Sequence, residues 1–117
     1  MLSKFQSHIK SNYSFLLKER FILCCSAGVD SVVLLHLFKA MTSDFVVAHC
    51  NYNLRKDFSN MDEKFVKDLC EKENLKFYSK SFDTLKIKKK LKKSTQVVAR
   101  ELRYEFFEDL SKKININ

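Results

Sequence analysis

Six consecutive residues, Ser26-Ala27-Gly28-Val29-Asp30-Ser31, combine two hydroxyls, a carboxylate and the only glycine of the chain. They lie between an apolar run, FILCC at 21–25, and a second apolar stretch, VVLLHLFKAM at 32–41. A buried strand, a tight turn and a helix N-terminus together make an anion site. Free backbone N–H groups and the positive end of the helix dipole both point at the ligand. Ser26 and Ser31 add hydroxyl donors. Gly28 permits the turn, through left-handed backbone space or through close approach of a phosphate. Asp30 would repel a phosphate directly, so its role at such a site runs through Mg²⁺. The same six residues also fit a plain strand-to-helix turn with Asp30 or Ser31 as the helix cap. Neither G-x-x-x-x-G-K-[ST] nor G-x-G-x-x-G occurs.

The elements that must hold these groups follow from periodicity. Phe5, Ile9, Tyr13, Leu16 and Leu17 recur at helical spacing over 3–18. FILCC (21–25) and FVVAHC (45–50) read as strands buried on both faces, and KFYSKSF (76–82) as a third. Helices are expected over 32–41, over 60–74 and over 96–111. Ser59 caps the second of these, with Asp62 as its capping-box partner, and its apolar face is Met61, Phe65, Val66, Leu69 and Cys70. Ser94 or Thr95 caps the third, whose apolar face is Val98, Ala99, Leu102, Phe106 and Leu110. The Lys-rich stretch between 86 and 93 fits a frayed helical turn, and KKININ (112–117) the approach to a further strand. Strands alternating with helices of this length imply right-handed crossovers. The fold class is therefore α/β, a parallel sheet with helices on both faces. Such sheets bind ligands beyond the carboxyl ends of their strands. There the sequence places the 26–31 turn, then His49, Asn51 and Asn53, then Ser81, Asp83 and Thr84. Asn51 and Arg55 read as members of a solvated loop.

Composition narrows the class. One Gly and no Pro in 117 residues exclude collagen-like, Gly/Ser-linker and Pro-rich disordered chains. They also disfavour hairpin-rich all-β folds, whose turns need positive φ. No apolar run approaches a membrane span. Cys24, Cys25, Cys50 and Cys70 form no C-x-x-C pair, which suits reduced thiols and a cytoplasmic setting, and no His/Cys spacing supports zinc. Of 22 basic residues 18 are Lys, and the Lys86–Lys93 run alone carries six charges against a net charge of +8. Arg100 and Arg103 have no acidic residue three or four positions away, which favours a phosphate role for them.

The S-x-G-x-D-S loop after FILCC resembles the PP-loop of ATP pyrophosphatases. Within that superfamily the chain resembles tRNA(Ile)-lysidine synthetases. The matching stretches are SAGVDSVVLLHLF (26–38), VAHCNYNLR (47–55), SNMDEKFVKDLC (59–70) and STQVVARELRYEFF (94–107). The resemblance implies a Rossmann-like PP-loop fold and a ligase. Such an enzyme adenylates O2 of the wobble cytidine in tRNA(Ile) with a CAU anticodon, then joins free L-lysine. It implies ATP and Mg²⁺ as cofactors. Ser26, Ala27, Gly28, Val29, Asp30 and Ser31 would form the pyrophosphate loop, with Asp30 holding Mg²⁺ through ATP. Ala48 and His49 would lie against the adenosine. Asp30, Arg100 and Arg103 would be the catalytic set, the two arginines facing ATP or the tRNA backbone. The family's second loop glycine is Ala27 here, whose methyl is expected to crowd the phosphate or alter the turn. On this reading residues 1–117 are the N-terminal portion of an ATP-binding domain, truncated before the family's H-H-x-D-D motif and its tRNA-binding domains. The alternatives are another PP-loop tRNA-modifying enzyme, such as a 2-thiolation enzyme, and a nucleotide- or RNA-binding fragment without turnover.

Overall fold

The computed structural model describes residues 2–13, 19–42, 44–55 and 57–115. The element order is α1 (Leu2–Asn12), β1 (Phe21–Cys24), α2 (Val29–Met41), β2 (Phe45–Asn51), α3 (Asp57–Lys72), β3 (Phe77–Ser81), α4 (Thr84–Leu91) and α5 (Thr95–Lys113). Leu16 and Leu17, assigned to the first helix from periodicity, lie outside the described residues. At the other end, Lys112 and Lys113 belong to α5 and Ile114 is its C-cap, so 112–115 is the end of a helix rather than a strand approach.

The three strands form a parallel sheet in the order β1-β2-β3. Phe21 pairs with Phe45 and Cys24 with Ala48 across the first ladder. Val47 pairs with Phe77 and Asn51 with Ser81 across the second. Successive side chains of a strand point to opposite faces, and β2 divides its residues accordingly. Phe45 and Val47 join Leu35 and Phe38 of α2 and Val66 and Cys70 of α3 in one core cluster, with Ile9 of α1. Ala48 joins Phe82 and the α5 residues Phe106 and Leu110 in a second, with Cys50 packed against it. Helices thus cover both faces, as the sequence implies. Leu35, Val47 and Val66 are fully buried, each contributing about 1.5–3 kcal/mol of apolar burial. Phe38 also takes Phe5 edge-on at 5.1 Å between ring centroids, which docks α1.

Three local expectations are corrected. α3 begins at Asp57, not 60, and Met61 and Phe65 are exposed, so only Val66, Leu69 and Cys70 of its expected apolar face turn inward. Residues 84–91 form a regular helix rather than a frayed turn. Asp83 caps it by accepting from the Lys86 N–H at 3.3 Å, and its last-turn lysines complement the helix dipole. Gly28 has φ −68° and ψ 153°, so it does not serve for left-handed space. The positive-φ positions are Asn53, Asn74, Lys92 and Asn115. Asn tolerates this region better than other residues with a Cβ, which lets the chain turn with so little glycine.

Candidate functional site

β1 ends at Cys24 and the chain reaches α2 in four residues. Cys25 fixes the start of this turn. Its N–H donates to the Ala48 carbonyl at 2.9 Å, and its side chain is buried. The turn then closes on itself through hydroxyls. Ser26 Oγ and Ser31 Oγ are 2.9 Å apart, and the Gly28 N–H donates to Ser26 Oγ at 3.2 Å. Gly28 is the N-cap of α2 and supplies no side chain to the cap. The helix therefore starts at Val29, three residues before the expected position, and neither Asp30 nor Ser31 is the cap. The N–H groups of the first turn receive no side-chain acceptor. Unpaired donors at a helix start carry the positive end of the dipole. A Cβ placed on Gly28 would sit 3.3 Å from Ser26 Oγ and press on that hydroxyl, so what glycine supplies here is space rather than φ.

Beside the turn lies a cavity of about 200 Å³ lined by Ser26, Ala27, His49, Cys50, Asn51, Tyr52, Leu54, Arg55, Ser59 and Asp62. It opens where the carboxyl ends of β1 and β2 meet the start of α3. His49 is buried, and its Nδ1 lies 2.9 Å from the Cys25 carbonyl oxygen. That oxygen can only accept, so Nδ1 carries hydrogen, and in the neutral ring Nε2 is the remaining acceptor. Phe77 stacks on the imidazole at 6.5 Å.

Asn51 is buried, contrary to its expected place in a solvated loop. Its Nδ2 donates to Asn60 Oδ1 at 2.9 Å, and its Oδ1 accepts from the Asn53 N–H at 3.0 Å. Asn53 Nδ2 donates to Ser81 Oγ at 2.7 Å and to the Phe82 carbonyl at 2.8 Å. These bonds tie the β2 exit to α3 and to the β3 exit. Arg55 is exposed, and its guanidinium lies over the Phe58 ring at 5.4 Å. Its N–H donates to Ser59 Oγ at 3.0 Å, which anchors the cavity rim.

The structure brings together Ser26, Ala27, Gly28, Ser31 and His49. Ala27 lines the cavity and packs against the apolar core beneath the loop, so its methyl has a structural seat. Asp30 is exposed in the first turn of α2 and forms no ion pair among the described residues. Val29 is 78% exposed. Ala48 stands apart from the cavity: its methyl is fully buried in the α5-side core and its carbonyl is taken by Cys25. Arg100 and Arg103 do not line the cavity and form no ion pair among the described residues. Both guanidiniums lie over the Tyr104 ring, at 5.5 and 5.6 Å. Arg103 nevertheless acts electrostatically on Cys24, Cys50 and Tyr52. Burial pushes the Cys50 thiol up to about 11 and raises the Tyr52 phenol further, and the Arg103 charge opposes both. Tyr52, Leu54, Ser59 and Asp62 also line the cavity. From sequence they carry no site role: Tyr52 and Leu54 lie within the matched stretch 47–55, and Ser59 and Asp62 read as a helix cap and its partner.

No group of three or more His, Cys, Asp and Glu among the described residues could cage a metal. Mg²⁺ does not require one, because it is usually held by one or two carboxylates together with substrate phosphates. The exposed Asp30 carboxylate, beside two hydroxyls and an uncapped helix start, fits that mode of binding.

A parallel sheet with hydroxyls and unpaired N–H groups gathered at its first strand-to-helix turn defines a Rossmann-like, phosphate-loop class of nucleotide-handling domain. The PP-loop domain family model matches residues 1–117, and the chain belongs to that family. Among curated relatives, the tRNA(Ile)-lysidine synthase of Chlorobaculum tepidum is 44% identical over 93 residues, covering 76% of this chain and 28% of that protein. The synthase of Bacteroides thetaiotaomicron is 35% identical over 103 residues, covering 88% and 24%. That of Clostridium acetobutylicum is 32% identical over 121 residues, covering 100% and 26%. The chain thus spans about a quarter of the length of these relatives. The NH3-dependent NAD synthetase from Campylobacter jejuni superposes with a TM-score of 0.63 at 18% identity, covering 98% of this chain and 50% of that one. At that identity the likeness concerns the fold alone.

Proposed function

We propose that this chain is the ATP-binding portion of a lysidine-forming enzyme. The enzyme adenylates O2 of the wobble cytidine in tRNA(Ile) with a CAU anticodon and releases pyrophosphate. Attack of the L-lysine amine at C2 then expels AMP and leaves a carbon–nitrogen bond. One observation carries the reading: the start of α2 has no side-chain cap and faces the Ser26–Ser31 hydroxyl pair at the sheet's carboxyl edge. The relatives' names support tRNA(Ile) as the substrate, and the CAU anticodon and free lysine follow from the family resemblance.

Each residue has a role suited to its chemistry. The first-turn N–H groups of α2, with Ser26 and Ser31, bind the β- and γ-phosphates and stabilise the leaving pyrophosphate. Gly28 lets those phosphates approach the backbone. Asp30 would hold Mg²⁺, which when bound offsets charge on the phosphates. His49, oriented by the Cys25 carbonyl, offers Nε2 as an acceptor of the kind an exocyclic amine of the base donates to. Arg103 and Arg100 add positive charge on the α5 side, where they would meet phosphate of ATP or RNA. The site works mainly by positioning and electrostatics. The setting for this reaction is the cytoplasm, and among the described residues no helix is long and apolar enough to cross a membrane.

The 2-thiolation reading needs a reactive thiolate. Within this segment burial pushes the Cys25, Cys50 and Cys70 thiols up to about 11. Cysteines that stay protonated at neutral pH are poor nucleophiles. The test is a chimera in which residues 1–117 replace the matching segment of the Chlorobaculum tepidum synthase. We expect lysine incorporation that requires ATP and CAU-anticodon tRNA(Ile), and loses at least tenfold on Asp30→Ala. A folded chimera that binds ATP but modifies no tRNA would leave the chain a nucleotide-binding module.

A further inference from the structure

The positive charge of this molecule is concentrated in one place. Residues 84–93 contain six lysines and no acidic residue. α3 carries Lys64, Lys67 and Lys72 among five carboxylates, so lysine-rich composition alone does not produce the pattern. Lys86, Lys89 and Lys90 stand at i, i+3 and i+4 and share one face of α4. All three are exposed. Like charges at this spacing destabilise a helix. Lys93 alone among the six reaches a carboxylate, donating to Glu101 at 3.0 Å.

The placement gives the stripe a direction. β3 ends at Ser81, and α4 starts at Thr84, so the helix leaves the same carboxyl edge that holds Ser26 and His49. Its inner side is fixed by the fully buried Thr84. A row of exposed cations on a helix that starts from the same edge as the proposed nucleotide site matches a polyanion whose charges repeat at short intervals.

We infer that the Lys86–Lys89–Lys90 face of α4 is a docking surface for the phosphate backbone of an RNA. Resting on the proposed function, the surface holds the substrate RNA by its backbone while the carboxyl edge of the sheet acts on a base. Contacts to phosphate carry register rather than sequence, so the surface serves affinity and leaves discrimination to other groups.

The test uses the 117-residue chain and a labelled 17-nucleotide anticodon stem-loop, followed by fluorescence anisotropy across a salt series. The variant is Lys86→Gln/Lys89→Gln/Lys90→Gln, and the control is Lys64→Gln/Lys67→Gln/Lys72→Gln on α3. Loss of three phosphate contacts should weaken binding by roughly tenfold or more at moderate salt and flatten the log–log salt dependence by about two. The control should change affinity by less than twofold, and an unrelated stem-loop should show the same loss on the α4 variant. Equal losses in the two variants, or no loss in either, would overturn the inference. So would anionic phospholipid vesicles binding through α4 while the stem-loop does not, since the surface would then belong to a membrane. ATP binding, measured in parallel, reports on the other reading. Stem-loop binding through α4 without ATP binding removes the proposed function and keeps the surface. ATP binding with an inert α4 does the reverse.

Discussion

Helices α2 and α4 leave the same edge of the sheet but begin differently. α4 starts under the Asp83 carboxylate, which accepts from the Lys86 N–H, and α5 behind it starts under Ser94, which accepts from the Val97 N–H at 3.2 Å. α2 starts at Gly28, whose own N–H donates to Ser26 Oγ but which offers no side-chain acceptor to the N–H groups of the first turn. A Ser or Asp N-cap is worth roughly 1 kcal/mol over alanine and only a few tenths over glycine, and α2 uses glycine at the turn where two hydroxyls converge. On the proposed function, the difference separates helix starts capped for stability from one that receives the phosphates of a nucleotide. α2 can forgo its cap because its body is held by Leu35 and Phe38 in the core.

The largest expected effect probes the scaffold under the open turn. Cys25 and Cys70 are buried in the core cluster that supports α2, and burial pushes both thiols from 9.0 up to about 11. The unfolded chain releases these protons near pH 9 and the folded chain does not. Stability is therefore full below pH 9 and is lost as pH rises to 11, by on the order of 2 kcal/mol for each thiol. Thermal melts between pH 7 and 11 should fall steeply above 9, and Cys70→Ala should shallow that fall.

The next effect is at the open turn itself. Asp30→Ala should weaken ATP binding in the presence of Mg²⁺ by tenfold or more, while stability falls by no more than the few tenths of a kcal/mol that an exposed first-turn carboxylate gives through the helix dipole. At the capped starts the pattern should invert. Ser94→Ala should cost about 1 kcal/mol of stability, read from chemical denaturation, and leave ATP affinity within twofold. The smallest effect belongs to Gly28→Ala. Its φ and ψ suit alanine, so stability should change by less than about 1 kcal/mol. The added methyl pushes on Ser26 Oγ, and ATP affinity should fall a few-fold.

These contrasts mark what the sequence could show. Strands β1 to β3, their parallel order and the helices on both faces were legible, because continuous apolar runs and 3.6-residue spacing report burial directly. The strand-to-helix turn itself was legible at 26–31, and the chemistry of its residues belongs to the proposed function. The start of α2 was not, since a helix that begins without a side-chain cap lacks the signal by which starts are found. Of the two reasons for Gly28, left-handed backbone does not hold, because its φ is −68°; its closeness to Ser26 Oγ follows from the path of the turn, which residue types alone do not give. Asn53 took the left-handed position in its place two residues after the second strand, and its partners Ser81 and Phe82 lie 28 and 29 residues away. Met61 and Phe65 show the converse, since helical spacing placed them inward and the α3 packing leaves them exposed. Tyr52 and Asp62 enter the cavity only because α3 folds back over the β2 exit.

The central claim is that the uncapped start of α2 binds the phosphates of ATP. Isothermal titration of ATP with Mg²⁺ into the chain and into Ser26→Ala tests it most directly. The account predicts saturable binding to the chain and a loss of about tenfold in the variant, with both proteins equally folded. Equal affinity for the two, or no binding to the folded chain, would contradict it.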